Sequence, residues 1–192
     1  KLLYAGIGLL ALAAVLLGVF FLTAPPKPTS DGLPVAAPNA EDFPAQLDQF
    51  GVSVGPDDAP VVVREFADYQ CPACGNFASA SKQLKEEYVA EGKVRFVYFD
   101  LPLQQHQNAM PAAQAARCAG DQDAYWAMHE RLYDSQTEWS GSNDPVATFT
   151  RYAGALGLEE RRFRRCMTTE LHREAVEQSR QVAMQLRVTS TP

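Results

Sequence analysis

Apolar and polar positions divide this 192-residue chain into three stretches with different patterns. Residues 1–24 are almost wholly apolar, and residues 25–49 mix proline with small and polar residues. Residues 50–192 repeat apolar positions with the periods of strands and helices. The pattern therefore predicts an N-terminal apolar segment, a linker and one folded domain that is large enough to bury a core.

The first stretch has the length and composition of a membrane span. Leu2 to Ala24 contains no charged residue. A helix rising about 1.5 Å per residue over this stretch exceeds the roughly 30 Å of hydrocarbon in a bilayer, so we expect a transmembrane anchor. A cleaved signal peptide is the alternative, but its apolar core is usually shorter, about 7 to 15 residues. Lys1 favours a cytoplasmic N-terminus, which places the folded domain outside the cytoplasm.

The second stretch, residues 25–49, is too rich in proline to fold compactly. Proline-rich segments are extended and semi-rigid, so we expect this one to hold the folded domain away from the bilayer.

The third stretch begins with a β-α-β pattern. Phe50 to Val54 predicts a short strand, and the β-branched run Val61 to Phe66 predicts a buried central strand. From Pro72 the apolar positions change to helical spacing, and Val94 to Phe99 predicts a third strand parallel to the second. Helical patterns then follow without an intervening strand, at residues 108–119, 122–134, 145–156, 159–167 and 170–187. The fold class is therefore α/β with a large helical part.

Two cysteines, Cys71 and Cys74, lie where the second strand gives way to the first helix. Pro72 suits the first helical position, which makes Cys71 the N-cap residue. Unpaired backbone N–H groups and the positive end of the helix dipole stabilise a thiolate there, and cysteine pKa values fall from about 8.5 to roughly 3.5–7.5 in such places. We therefore predict a redox pair with Cys71 as the nucleophile and Cys74, one turn into the helix, as the resolving thiol.

Metal binding and nucleic-acid binding are the other chemistries considered. A zinc site needs two more ligands at compatible spacing, and the remaining cysteines and histidines are scattered singly, at Cys118, Cys166, His106, His129 and His172. We predict no metal and no cofactor, and assign no role to the histidines. The formal net charge of −6 leaves no basic surface for nucleic acid.

The residues around the cysteine pair resemble the DsbA-like branch of the thioredoxin superfamily. The resemblance covers about residues 51–192 and is carried by Glu65 to Cys74, Val94 to Leu103, Ala112 to Ala119 and Tyr125 to His129. It implies a thioredoxin-like fold in which a helical domain, residues 107–187 here, is inserted before a cis-proline loop. It also implies two strands and a helix after that loop, which would follow Pro192.

The resemblance implies further site residues. Thr191 and Pro192 match the start of the cis-proline loop, which lies against the redox pair and binds substrate in this family. Glu65 matches an acidic residue beneath the resolving cysteine, where a buried carboxylate would accept the Cys74 proton. The pattern alone favours another interpretation, in which Glu65 ends a strand and reaches solvent.

Cys118 and Cys166 fall on two different predicted helices. They are either two buried free thiols or a structural disulfide. An oxidising compartment and the even number of cysteines favour the disulfide, and closing this loop is worth about 3 to 4 kcal/mol in the chain-entropy model.

These observations predict a membrane-anchored thiol–disulfide oxidoreductase that crosses the cell membrane once in this stretch, with its catalytic domain on the extracytoplasmic, periplasmic side. It would oxidise the cysteine thiols of substrate proteins. A quinone-linked membrane partner, of the vitamin K epoxide reductase or DsbB type, would reoxidise it. A disulfide reductase or isomerase of the same fold is the alternative within this chemistry. A module that binds a soft metal or a peptide is the alternative from another class.

Overall fold

The computed structural model describes residues 43–192. The predicted anchor at residues 1–24 and most of the predicted linker lie outside this range. Within the described range, no helix is both long enough and apolar enough to cross a bilayer. The compact unit begins at Phe43.

The predicted linker, residues 25–49, extends too far along the chain, because its last residues are folded. Ala45–Phe50 form a 3-10 helix that begins directly after Pro44. Leu47 and Asp48 of this helix are buried, and Asp48 accepts two hydrogen bonds from Arg64, at 2.6 and 2.8 Å. Proline is compatible with the start of a helix. The proline-rich composition therefore did not exclude this short helix, although it predicted an extended linker.

Three strands form the described sheet: β1 (Val52–Val54), β2 (Val61–Ala67) and β3 (Val94–Asp100). β3 lies in the middle, antiparallel to β1 and parallel to β2. The predicted parallel pair is therefore confirmed, but β3 and not β2 is the central strand of the described sheet. The first strand is also shorter than predicted, because the chain from Ala45 to Phe50 is helical.

Helix α1 (Pro72–Leu84) follows β2 and continues as a π-helical turn, Lys85–Val89. Gly92 then takes a φ of +74°, a conformation that glycine adopts without steric cost, and the chain enters β3. The predicted run of helices is confirmed, with one further short helix, as α2 (Ala109–Gly120), α3 (Tyr125–Asp134), α4 (Gln136–Trp139), α5 (Pro145–Ala155), α6 (Glu160–Thr168) and α7 (Arg173–Gln185).

The two faces of β3 belong to two hydrophobic cores. Phe96 and Tyr98 contribute to the larger core, which the sheet shares with α1 and most of the other helices. Val97 and Phe99, on the opposite face, pack with Leu47 and with Val182 of α7. This alternation is the period of two expected of a strand that is buried on both sides. Helix α7 belongs to both cores, since Val176 near its start lies in the larger one.

Candidate active site

The cysteine pair lies at the carboxyl end of β2, where a short turn leads into α1. The Cys71 N–H donates to the carbonyl of Asp68 at 3.1 Å and closes this turn. Cys71 is the N-cap residue, with extended φ and ψ of −71° and 123°, and Pro72 takes the first helical position. Both cysteines are free thiols in the structure. Cys71 retains 9% of its surface exposed and Cys74 none, so Cys71 is the more accessible of the two residues.

The two thiols differ in acidity. Burial by itself raises the pKa of Cys71, but the polar groups that face its sulfur, the Thr191 side chain and the backbone N–H groups of Cys74 and Ala73, outweigh it, and the net pKa is lowered. These N–H groups are the unpaired donors of the first helical turn. Burial raises the pKa of Cys74 to about 12, although the Asp68 N–H donates to its sulfur at 3.5 Å. Near neutral pH, a larger fraction of Cys71 than of Cys74 is therefore in the thiolate form.

Asp68, just before the pair, holds the turn with its buried carboxylate. One oxygen accepts from the Gln70 N–H at 2.7 Å. The other accepts from the Leu103 N–H at 2.8 Å and lies 2.8 Å from Nδ1 of His106. Asp68 thereby ties the active-site turn to the loop after β3. His106, to which the sequence assigned no role, is part of this support.

Gln70 and Gln136 attach the active-site turn to the helical part of the domain. The Gln70 side chain donates to the Ser140 carbonyl at 2.9 Å and accepts from the Asn108 N–H at 2.7 Å. Gln136, at the start of α4, donates to the carbonyls of Tyr69 and Cys71, at 2.7 and 2.9 Å. These bonds hold the N-terminus of α1 from both sides.

Gly75 leaves the space that Gln136 occupies. A Cβ atom at Gly75 would lie 2.7 Å from Oε1 of Gln136, closer than real Cβ contacts come. The residue after the cysteine pair is therefore restricted by packing against α4, not by the backbone angles of α1.

Thr191 is brought to the cysteine pair, and Glu65 is not brought into contact with it. The Thr191 side chain faces both sulfurs, and its hydroxyl oxygen is buried. The Thr191–Pro192 peptide bond is cis. Glu65 is buried on β2, but it accepts a hydrogen bond from Ser81 at 2.5 Å, and Ser81 lies two helical turns beyond Cys74. At about 1.5 Å of rise per residue Ser81 and Cys74 are roughly 10 Å apart along the helix, and Glu65 makes its hydrogen bond to Ser81 and none to Cys74.

The position of Glu65 still perturbs its acidity. Burial raises its pKa, while the hydrogen bond from Ser81 and the charge of Lys85 oppose the rise. A mainly apolar cavity of about 370 Å³ lies beside the carboxyl group, lined also by Phe77, Leu84 and Phe96. The expectation that Glu65 reaches solvent is therefore wrong, since the residue is only 6% exposed.

A buried cluster of tyrosines and one histidine lies behind the pair. Nδ1 of His129 lies 2.8 Å from the Tyr69 hydroxyl, and the hydroxyls of Tyr98 and Tyr133 are 2.7 Å apart. Burial lowers the pKa of His129 well below its usual range, with the charge of Lys85 adding to the effect. His129 is therefore neutral near pH 7. The sequence assigned no role to His129, which the structure shows to be buried together with Tyr133.

The second cysteine pair lies in the helical part. Cys118 near the end of α2 and Cys166 near the end of α6 are joined by a disulfide, with 5.8 Å between their Cα atoms and a sequence separation of 48. Both are buried. The bond connects two helices, and no side-chain hydrogen bond joins Cys118 or Cys166 to Cys71 or Cys74.

Sequence reasoning missed Asp68, Gln70, His106 and Gln136. Asp68 and Gln70 stand inside the motif that carries the cysteines, so their polar character directly after a buried strand was an available signal. His106 and Gln136 had no such signal, because each is placed by a loop or a helix that lies far from Cys71 along the chain.

Comparison with known proteins agrees with this geometry. Residues 48–192 match the model of a family described as thioredoxin. The chain is 41% identical over 111 residues to Na(+)/H(+) antiporter NhaA 3 of Salinispora tropica, covering 57% of this chain and 16% of the antiporter. It is 29% identical over 146 residues to the probable disulfide bond formation protein D of Bacillus cereus, covering 73% of this chain and 67% of that protein. The chain thus spans only a small part of the antiporter.

A solved structure shares the fold. The oxidised BdbD of Bacillus subtilis superposes with a TM-score of 0.66 and 24% identity, covering 75% of this chain and 80% of that one. At this identity the match is evidence for the fold alone.

Proposed function

This chain belongs to the thioredoxin family, in its DsbA-like branch, and we propose from that premise that it exchanges disulfides with the cysteine thiols of protein substrates. The observation that carries the proposal is the asymmetry of the pair: the pKa of Cys71 is lowered and that of Cys74 is raised to about 12. One accessible thiolate beside one buried thiol is the arrangement that a two-step exchange requires.

In the oxidase direction the reaction starts from a Cys71–Cys74 disulfide. A substrate thiolate attacks Sγ of Cys71, a mixed disulfide forms, and Cys74 leaves and takes up a proton. A second substrate thiolate then attacks the substrate sulfur of the mixed disulfide, and Cys71 leaves as a thiolate. The substrate loses two electrons and the enzyme pair gains them. The lowered pKa of Cys71 makes it a good leaving group in the second step.

The direction depends on how strongly the protein stabilises the reduced pair. Each tenfold stabilisation of the Cys71 thiolate relative to the disulfide makes the couple about 30 mV more oxidising. The Thr191 side chain and the N–H groups at the N-terminus of α1, which lower the pKa of Cys71, act in that sense. They support oxidation over the reductase or isomerase alternative, which uses the same residues.

Three further residues complete the proposed site. Thr191 and Pro192, beside the sulfurs, are proposed to position an extended substrate peptide, as the family resemblance implies. Glu65 is proposed as the acceptor of the Cys74 proton when Cys74 attacks a mixed disulfide, but the roughly two turns of helix between Cys74 and Ser81 require a chain of water molecules to carry that proton. Replacement of Glu65 by glutamine should therefore slow the resolving step less than tenfold, which is a modest loss for general acid–base catalysis.

We place the catalytic domain outside the cytoplasm, tethered by Leu2 to Ala24. The Cys118–Cys166 disulfide supports this location, because structural disulfides persist in oxidising compartments. A quinone-linked membrane protein is the proposed partner that reoxidises Cys71 and Cys74. Membrane fractionation of cells that express residues 1–192, with and without residues 1–24, tests the tether.

The activity is tested with the oxidised protein and a reduced peptide that carries two cysteines. We expect a disulfide to appear in the peptide as the Cys71–Cys74 disulfide is lost, in equal amounts. Metal analysis of the purified protein, done in parallel, separates this function from soft-metal binding at Cys71 and Cys74. Stoichiometric metal on this pair together with no peptide oxidation would contradict the proposal.

A further inference from the structure

The second cysteine pair is accompanied by two more donor groups. Sγ of Cys118, Sγ of Cys166 and a ring nitrogen of His172 all lie within 4.8 Å of one another. Oδ2 of Asp121 is 2.9 Å from Nε2 of His172 and 3.6 Å from Sγ of Cys166. Two sulfurs, an imidazole and a carboxylate therefore converge on one small volume, although the sequence shows the cysteines and histidines as scattered singletons.

Two helix ends build this cluster, which consists of Cys118, Asp121, Cys166 and His172. Asp121 is the residue at which α2 ends, so it lies one turn after Cys118. After α6 the chain turns through Glu170, at a φ of +51°, and the Leu171 N–H bonds back to the Cys166 carbonyl at 3.1 Å. That turn places the His172 side chain close to Cys166. The resulting Cys-x2-Asp and Cys-x5-His spacings match those of paired zinc ligands.

We propose that reduction of the Cys118–Cys166 disulfide converts this cluster into a site for Zn²⁺. A dithiol reductant gives two electrons to the disulfide and leaves as a cyclic disulfide, and Cys118 and Cys166 become thiols. Zn²⁺ then binds both sulfurs with release of their two protons, and the His172 nitrogen and an Asp121 oxygen complete four ligands. Two thiolates, an imidazole and a carboxylate are donors that zinc accepts in tetrahedral sites.

The local charges suit a cation and disfavour free thiolates. Both cysteines lie near the C-terminal ends of their helices, where the helix dipole is negative, and the Asp121 carboxylate adds to this potential. Arg162 lies nearby, but it donates to the backbone carbonyl of Asp121 and leaves the carboxylate oxygens to the cluster. A divalent cation would supply the positive charge that two buried thiolates need.

The geometry needs only a small adjustment. Zinc bound at about 2.3 Å to two tetrahedrally placed sulfurs holds them roughly 3.8 Å apart, which short shifts at the two helix ends provide. Cys118 and Cys166 are 1% and 6% exposed, so solvent would not compete for the ion on that side. His172 and Asp121 are partly exposed, with 23% and 33% of their side-chain surfaces accessible, so an ion can reach the cluster past them. The inference does not depend on the proposed function, because Cys71 and Cys74 take no part. Its consequence is that α2 and α6 stay joined when the disulfide is lost.

Metal titration of the reduced chain tests this site. Cys71→Ser and Cys74→Ser are introduced first, so that the catalytic pair contributes no ligands. The chain is reduced with dithiothreitol without oxygen, the reductant is removed by gel filtration, and Zn²⁺ is titrated in competition with a chromophoric chelator. We expect about one ion for each reduced chain and none at this site in the disulfide form. Co²⁺ in place of zinc should give the sulfur-to-metal absorption of a tetrahedral thiolate site.

Single substitutions assign the binding to the cluster. His172→Gln and Asp121→Asn should each weaken zinc binding by at least about tenfold, because each removes a ligand. Asp123→Asn, two residues away, is the matched control and should leave the affinity unchanged. Zinc should also raise the thermal midpoint of the reduced chain, since it binds only the folded form.

Three outcomes would overturn the inference. The first is a reduced chain that is folded by circular dichroism and takes up no zinc. The second is zinc binding that His172→Gln and Asp121→Asn leave unchanged, as for two thiols of an unfolded chain. The third is equal zinc binding by the disulfide form.

Discussion

The two cysteine pairs of this domain sit at opposite ends of helices, and that difference separates their chemistry. Cys71 and Cys74 begin α1, where unpaired N–H groups and the positive end of the dipole stabilise a thiolate. Cys118 and Cys166 lie near the ends of α2 and α6, where the dipole is negative and the Asp121 carboxylate lies 3.6 Å from one sulfur. We therefore expect thiols to be reactive at Cys71 and inert at Cys118 and Cys166.

In this comparison, the electrostatic surroundings of a cysteine pair predict how easily its disulfide is reduced better than the number of residues between the two cysteines does. A disulfide whose thiols are easily ionised is easily reduced, because a good leaving group departs quickly and the reduced form is stabilised. The Cys118–Cys166 disulfide gains nothing from ionisation and closes a long loop, so it should persist under conditions that open Cys71–Cys74. The first pair should therefore control turnover, and the second should control stability.

Substitution of single cysteines should have the largest effect. Cys71→Ser should reduce peptide oxidation to the background rate, because no nucleophile remains that a substrate can reach. Cys74→Ser, mixed with a peptide that already contains a disulfide, should instead accumulate mixed disulfides, because the Cys71 thiolate opens the peptide disulfide and no resolving thiol remains to release it. Trapping followed by non-reducing electrophoresis distinguishes the two variants. Trapped complexes in Cys71→Ser and none in Cys74→Ser would reverse the assignment of roles.

The pH dependence of alkylation should differ strongly within the catalytic pair. Cys71 has a pKa below the ordinary 9.0, and Cys74 has a pKa of about 12. At neutral pH the thiolate fractions then differ by at least about a thousandfold, and intrinsic nucleophilicity offsets about half of that on a logarithmic scale, which leaves Cys71 at least about 30-fold faster. As pH falls below 9, Cys71 should stay reactive until its own lowered pKa is passed. Equal rates, measured by mass spectrometry of alkylated peptides, would contradict the asymmetry.

Loss of the second disulfide should destabilise the domain without stopping the reaction. Cys118→Ser with Cys166→Ser should lower the free energy of unfolding by about 3 to 4 kcal/mol, since the loop is no longer closed in the unfolded chain. For a domain of this size that is a fall in the thermal midpoint of about 10 °C. The peptide oxidation rate, measured well below the midpoint, should stay within about twofold of the parent, since no side-chain hydrogen bond joins Cys118 or Cys166 to Cys71. A large loss of activity with unchanged stability would contradict the assignment of turnover to the first pair and of stability to the second.

Gln136→Ala should lower the free energy of unfolding by less than loss of the second disulfide does. Gln136 joins the helical part of the domain to the active-site turn. The change removes the donors to the Tyr69 and Cys71 carbonyls and should cost about 1 to 3 kcal/mol of stability. Gln178→Ala is the matched control, because that exposed side chain bonds only to Glu174, and its effect should stay within about 0.5 kcal/mol. Chemical denaturation measures both, and equal effects would show that Gln136 does not hold the active-site turn.

Much of the structure around Cys71 and Cys74 could be predicted from sequence, because it is determined by residues that are close together along the chain. The N-cap position of Cys71, the role of Pro72 and the parallel pairing of β2 with β3 follow from spacing and from backbone chemistry. Gln136 and His106 lie beside the active-site turn only because of tertiary packing, which no local sequence pattern predicts. The fold departed from expectation at Ala45–Phe50, where the spacing of Phe43, Leu47 and Phe50 fits a packed helix but lies within proline-rich sequence.

Glu65 and the second pair show the limits of resemblance and of spacing. The family places an acidic residue beneath the resolving cysteine, yet here the carboxyl group bonds to Ser81 instead. Asp121 and His172 meet Cys118 and Cys166 only because α2 and α6 end side by side.

A redox titration of the unmodified domain tests the central claim most directly. The protein is equilibrated at graded ratios of reduced to oxidised glutathione, quenched in acid, and mapped by mass spectrometry to follow both cysteine pairs in the same samples. We predict two separate transitions, with Cys71–Cys74 reduced first and Cys118–Cys166 still oxidised when the first transition is complete. A single shared transition, or reduction of Cys118–Cys166 before Cys71–Cys74, would contradict the account.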